Sequence, residues 1–357
     1  MCNNRAWFGE YKIHNRGDGL NMLRPLRFLA LLVLVALGCV SAAAQCTAYV
    51  PTHKSNSVAV IDTVLDRVVA IIPVQIQPLA VAITPNGAFA YVTNSGWIFG
   101  SDSVSVIDTT SNSVVVTVPV GHFPVGIAIR PDGAFAYVAN LNSNSVTVIS
   151  TATNTVTATV AVGTGPSGLA ITPNGAFAYV TNLNANNVSV IDTATNTVVG
   201  TVAVGSGPVS VAITPNGAYA YVVNQSSDNV MVINTATNTV VATVPVVSGS
   251  YNSAPYAVAI APNGAFAYTA NSAAGTVSVI DTATNKVITT IGVGSTPHGV
   301  AITPDGLFAF VTNEISNTVS VIDTATNTVV DTVKGVALLP EGIAIMHSRN
   351  APSLNCR

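Results

Sequence analysis

Apolar residues in this chain come in short runs of Val, Ala, Ile and Tyr, interrupted at close intervals by Thr, Asn, Gly and Pro. Val, Ile and Tyr fit extended, packed surfaces, whereas Gly, Pro and Asn supply turn geometry. The pattern therefore predicts short strands joined by tight turns rather than helices. It is also periodic. Ala90-Tyr91-Val92-Thr93-Asn94 returns at 136–140, 178–182, 220–224, 267–271 and 309–313, its last Asn recurring after 46, 42, 42, 47 and 42 residues. A seventh copy, Ala48-Tyr49-Val50-Pro51-Thr52, stands 42 residues before Asn94, with Thr in the Asn place.

Each unit reads as four strands. In the third full copy these are residues 168–171, 178–181, 188–191 and 198–204. Thr172-Pro173-Asn174-Gly175 forms the first turn, its Gly free to take positive φ. Asp192-Thr193-Ala194-Thr195-Asn196 forms a hairpin loop, and Asn196 recurs as Asn112, Asn154, Asn238, Asn285 and Asn327, with Asp66 in the first unit. Asn and Asp tolerate the left-handed conformation such loops need, so these residues are turn formers before they are ligands. No unit has the D-x-D-x-D spacing with a following Glu that a calcium loop requires.

Four-stranded units at this period are the signature of a β-propeller. The Y-V-T-N core, the P-x-G-V-A-I-T-P-N-G lead and the V-S-V-I-D-T-A-T-N tail make the chain resemble the YVTN family of β-propeller repeats over roughly residues 46–347. That resemblance implies an all-β, seven-bladed ring, related in fold to archaeal surface-layer proteins, lactonase-type propellers, and the propeller domains of quinoprotein amine dehydrogenases and nitrous oxide reductase. The chain ends support the ring separately. Residues 48–74 carry only strands two to four of a unit, while residues 341–345 carry a lone first strand. One blade built from both ends leaves no unpaired sheet edge at the joint.

Residues 1–44 read differently. Arg24 and Arg27 follow Met22 and precede a 13-residue apolar run at 28–40 and then Ser41-Ala42-Ala43-Ala44. The run is shorter than the roughly 20 residues a membrane-spanning helix needs. A basic start, an apolar centre and an A-x-A end predict a secretory signal peptide, with translation starting at Met22 and cleavage after Ala44. The mature chain, 45–357, is then a single propeller without a transmembrane segment, placed in the periplasm, outside the cell or on its surface. A lipoprotein with Cys39 as its anchor is the competing reading, although Ala36 stands where such a signal has Leu.

Charge is scarce, at 8% of residues with a net of -3. Residues 45–357 keep 7 basic and 13 acidic side chains, a net of -6. That balance excludes electrostatic binding of nucleic acid. Of four cysteines only Cys46 and Cys356 lie beyond the leader, one just before the N-terminal strand and the other after the C-terminal strand expected to pair with it. In an exported protein they are expected to form a disulfide; two free thiols or a metal pair are the alternatives.

In a propeller the loops from a fourth strand to the next first strand emerge on the same face as those between second and third strands. Both departures from the 42-residue period fall there, at 95–102 with Trp97 and at 247–254 with Tyr251. The position after the recurrent Pro, at the start of each inner strand, reads Leu79, Val125, Ser167, Val209, Tyr256, His298 and Glu341 round the ring. Tyr256, His298 and Glu341 thus fall on consecutive blades, with His53 and Lys54 in a nearby loop and His122 on the same face. A His beside a Glu suits general acid/base work or metal binding. The local signatures of zinc, thiol, serine, phosphate and covalent haem chemistry are missing, so no metal or other cofactor is expected.

These features favour a non-catalytic scaffold that binds a protein, glycan or cell-envelope component through Tyr256, His298, Glu341, His53, His122 and Trp97. One alternative is a lactonase-like hydrolase or redox propeller acting through His298, Glu341 and Tyr256. Another is a surface-layer or adhesion component.

Overall fold

The computed structural model describes residues 46–96, 102–246 and 253–346, all within the unit Ala42–Arg357. The leader region, Trp97, Tyr251, His347 and Cys356 lie outside the described residues. No described helix is long and apolar enough to cross a membrane.

The described strands form seven four-stranded antiparallel sheets, the blades of a propeller. Blade 4 is representative, with strands Pro166–Ile171, Phe177–Asn182, Asn187–Asp192 and Thr197–Ala203. Its turns take the expected shapes: Gly175 has φ +74° and Asn196 φ +54°, and their counterparts in the other blades are left-handed as well. The loop is fixed by the preceding acid, as Asp192 Oδ1 accepts from the backbone N–H groups of Ala194 and Thr195. Those hydrogen bonds, led by that of Thr195, hold the Asp192 carboxyl below its usual range.

Second and third strands are buried almost throughout, while fourth strands are largely exposed. Each apolar cluster joins two blades. Tyr179, Val188, Val190 and Val202 of blade 4 pack on Val211, Ala220, Val222 and Ile233 of blade 5. Removing such side chains from water stabilises the fold by about 1.5–3 kcal/mol each. Blade-to-blade packing is thus the main cohesive term, which explains why the inner strands are apolar on both faces.

Blade 1 closes the ring. Its order places Ala344–Met346 beside Thr47–Thr52, followed by Ser57–Asp62 and Arg67–Pro73. The C-terminal strand is shorter than the expected 341–345. Thr52 bridges Pro340, and Glu341 donates its N–H to Pro51 O at 2.9 Å, but Gly342 turns its N–H to Leu79 O on blade 2. Ala48, Val50, Ala59 and Ile61 of this blade pack on Phe310, Val319 and Val321 of blade 7.

Candidate functional site at the channel mouth

Six inner strands, and the segment just before the seventh, converge on one cavity of about 180 Å3. It is lined by Leu79, Val125, Ser167, Val209, Tyr256, His298 and Glu341, each with the small residue that follows it, Ala80, Gly126, Gly168, Ser210, Ala257, Gly299 and Gly342. The first set is the post-proline position read from the sequence. The second set was not singled out there, although its uniform smallness was a usable signal.

Smallness is required by the approach of the neighbouring strand. A Cβ on Gly168 would lie 2.5 Å from Val209 O, and one on Gly299 would lie 2.7 Å from Glu341 O. The side-chain direction that the sequence left open is set by a bulge. In blades 2 to 7 the register of the first strand against the second shifts just after the Pro. Bulges of this kind re-aim a side chain. The Thr of the repeat motif stabilises the bulge in several blades: the N–H groups of Ala80, Gly168 and Gly299 donate to Oγ1 of Thr93, Thr181 and Thr312 at 3.0, 2.8 and 2.7 Å.

The residue before each Pro is also constrained. Gln77, Phe123, Gly165, Gly207, Ala254, Thr296 and Leu339 all have φ between +41° and +69°. Their carbonyls accept from the loop between second and third strands, as Thr296 O does from the Glu314 N–H at 2.9 Å. An Asn or Asp of the second-to-third-strand loop buttresses the neighbouring connection, Asn317 Oδ1 accepting from the Leu339 N–H at 2.8 Å. The mouth is therefore a rigid frame.

Within it, His298 Nδ1 lies 2.6 Å from Glu341 Oε2, with both side chains mostly buried. Tyr256 stacks on the imidazole, the ring centroids 3.6 Å apart and the planes 29° from parallel. Burial pushes the Tyr256 hydroxyl well above its ordinary pKa, and the Glu341 and Glu314 carboxylates add to the rise. It stays protonated, a donor, at neutral pH.

His53 and His122 do not line the cavity. His53 lies on a single helical turn, His53–Ser55, beside the ring joint. His122 Nδ1 contacts Asp102 Oδ2 at 2.6 Å on the more exposed rim. Sequence reasoning missed Asp102, which occupies the place of the loop Asn residues and accepts from the Phe123 N–H through its other oxygen at 3.1 Å. Among the described residues no group of three or more His, Cys, Asp or Glu is placed to hold a metal.

The model of the lactonase, seven-bladed β-propeller family matches residues 47–161, 149–240 and 169–345. The chain belongs to this family. The family found is thus the lactonase one, whereas the repeat motif resembles YVTN repeats; both imply the same ring. No curated protein matches the chain. Among solved structures, Kuenenia stuttgartiensis hydrazine synthase is similar at 28% identity and a TM-score of 0.71, over 78% of this chain and 92% of that one. A periplasmic gluconolactonase from Pseudomonas aeruginosa is similar at 19% identity and a TM-score of 0.71, over 85% of this chain and 99% of that one. The latter likeness is one of fold.

Proposed function

We propose that this lactonase-family propeller hydrolyses a small lactone at the channel mouth. The observation that carries the reading is the 2.6 Å contact between His298 Nδ1 and Glu341 Oε2 inside the cavity shared by all seven blades. Glu341 accepts a hydrogen bond from the Nδ1–H, which fixes the tautomer and leaves Nε2 as an acceptor. Nε2 then takes a proton from water as the water oxygen adds to the lactone carbonyl. Collapse breaks the bond from the carbonyl carbon to the ring oxygen, and the departing oxygen recovers the proton from Nε2, giving a hydroxy acid. Tyr256 pins the imidazole by stacking and offers its O–H to the substrate.

The cavity of about 180 Å3 is smaller than the roughly 300–1,000 Å3 of pockets for drug-sized ligands, which suits one small ring. The family match favours this reading over the non-catalytic scaffold suggested by the scarcity of catalytic residue types. The leader-like segment and the fold shared with a periplasmic gluconolactonase support action outside the cytoplasm.

The test is hydrolysis of glucono-1,5-lactone followed by pH-stat, with the spontaneous rate subtracted. His298→Ala and Glu341→Gln are each expected to lower kcat about 10²- to 10⁴-fold in protein that still unfolds cooperatively. Equal rates in the native protein and both variants would remove the reading.

A further inference from the structure

We infer that the channel mouth selects an uncharged lactone and discriminates against one carrying a phosphate or a carboxylate. The inference rests on the hydrolase reading for the reaction and for a neutral His298, while the lack of a lining cation rests on the described residues of the cavity alone. The cavity is lined, among the described residues, by no Lys or Arg. Its one ionisable pair is His298 with Glu341. With His298 neutral, as a general base must be, the site carries a net negative charge.

A second carboxylate, Glu314, lies in the loop following the second strand of blade 7, close enough to act on the Tyr256 hydroxyl along with Glu341. The described basic residues whose segments rise on this face are Lys54 and Lys334. Lys54 is exposed on the turn His53–Ser55 and Lys334 follows the outer strand Thr328–Val333, and neither lines the cavity. Four of the inner N–H groups are already engaged, those of Ala80, Gly168 and Gly299 with motif threonines and that of Gly342 with Leu79 O. A phosphate would thus enter a negative, half-enclosed site lined, among the described residues, by no cation and with these four amide donors already used. Phosphate recognition elsewhere relies on those groups. Hydroxyl-bearing neutral rings fit better, with Ser167 and Ser210 on the rim and the Tyr256 ring as an apolar wall.

The experiment compares glucono-1,5-lactone with its 6-phosphate as substrates, and measures by calorimetry the binding of the corresponding non-hydrolysable lactam with and without the 6-phosphate. Since like charges are penalised on association, kcat/KM and lactam affinity are expected to be on the order of 100-fold lower for the phosphorylated forms. Glu314→Gln is expected to narrow that gap several-fold while leaving the neutral substrate unaffected. Equal or better handling of the phosphorylated forms would overturn the inference, as would failure of the neutral lactam to bind. Preferential binding of the neutral lactam without turnover of its lactone would uphold the charge selection and remove the hydrolase reading.

Discussion

The hydroxyl of Tyr179, in the second strand of blade 4, donates a 2.6 Å hydrogen bond to Oδ1 of Asn238 in the outer hairpin of blade 5. The same bond joins Tyr49 to Asn112, Tyr91 to Asn154, Tyr137 to Asn196, Tyr221 to Asn285 and Tyr268 to Asn327. The two most regular polar letters of the repeat are thus partners across blades, not within them. At the remaining joint Phe310 replaces the Tyr and Asp66 the Asn, and blades 7 and 1 meet there through apolar packing.

Tyr221 is buried and bonded to Asn285 at 2.7 Å. Tyr221→Phe is expected to lose about 0.5–1.5 kcal/mol in urea unfolding, the net worth of one such bond, with the apolar packing kept. Tyr221→Asp places a carboxylate among the side chains that blade 5 packs against blade 6 and is expected to yield little soluble folded protein. A soluble, cooperative Tyr221→Asp protein would contradict the packing.

Burial pushes Tyr91, Tyr179, Tyr221 and Tyr268 up to about 12, against an ordinary value of 10.0. Between those values the native state holds protons the unfolded chain has released, so the contribution is complete below pH 10 and is lost as pH rises through 12. Stability should therefore fall across pH 10–12. Absorbance of the ionised phenol is expected to show these tyrosines titrating late or together with unfolding; four normal titrations near pH 10 in folded protein would refute it.

The architecture was legible because one unit recurs: a turn Gly, a loop Asn and a buried Tyr each announce themselves several times over. Even the mixed blade followed from what the two ends lack. The site was less legible because it is assembled one residue per blade. Tyr256, His298 and Glu341 could be placed on adjacent blades from spacing, but their side-chain direction depends on a left-handed residue before each Pro and, for Tyr256 and His298, on a bulge, neither of which changes the strand pattern. His53 and His122 share the face but do not line the cavity, since a loop position does not specify an approach to the axis. Asp102 was hidden by an insertion that disguised its equivalence to the loop asparagines.

Cys46 is buried and disulfide-bonded. We propose Cys356 as its partner, which peptide mapping without reductant would reveal as a cross-linked pair. The chain-entropy model gives roughly 5 to 6 kcal/mol for so long a loop. Cys46→Ser is expected to cost clearly less, because Ala344–Met346 already pairs with the N-terminal strand and restrains the ends. A loss at the full entropic value would mean that this strand pairing does not restrain the ends.

Thr296 holds φ +56° two residues before His298, although β-branched residues rarely take left-handed backbone. Such a conformation costs of order 1–3 kcal/mol and persists only where its surroundings impose it. Here they do, through the Glu314 N–H bonded to Thr296 O at 2.9 Å and the bulge that Thr312 stabilises under Gly299. Glycine takes the conformation without strain but loses more entropy on folding, by roughly 0.5–1 kcal/mol. Thr296→Gly should therefore gain about 1 kcal/mol. Blades 4 and 5 already use glycine there, Gly165 and Gly207. The reverse change, Gly165→Thr, should cost more than Thr296→Gly gains, because its Cβ would also lie 2.7 Å from Nδ2 of Asn184. Urea denaturation of both variants checks the pair. Were Thr296→Gly destabilising, the left-handed turn before His298 would not be the strained element, and the rigidity of the mouth would have to arise from the bulge alone.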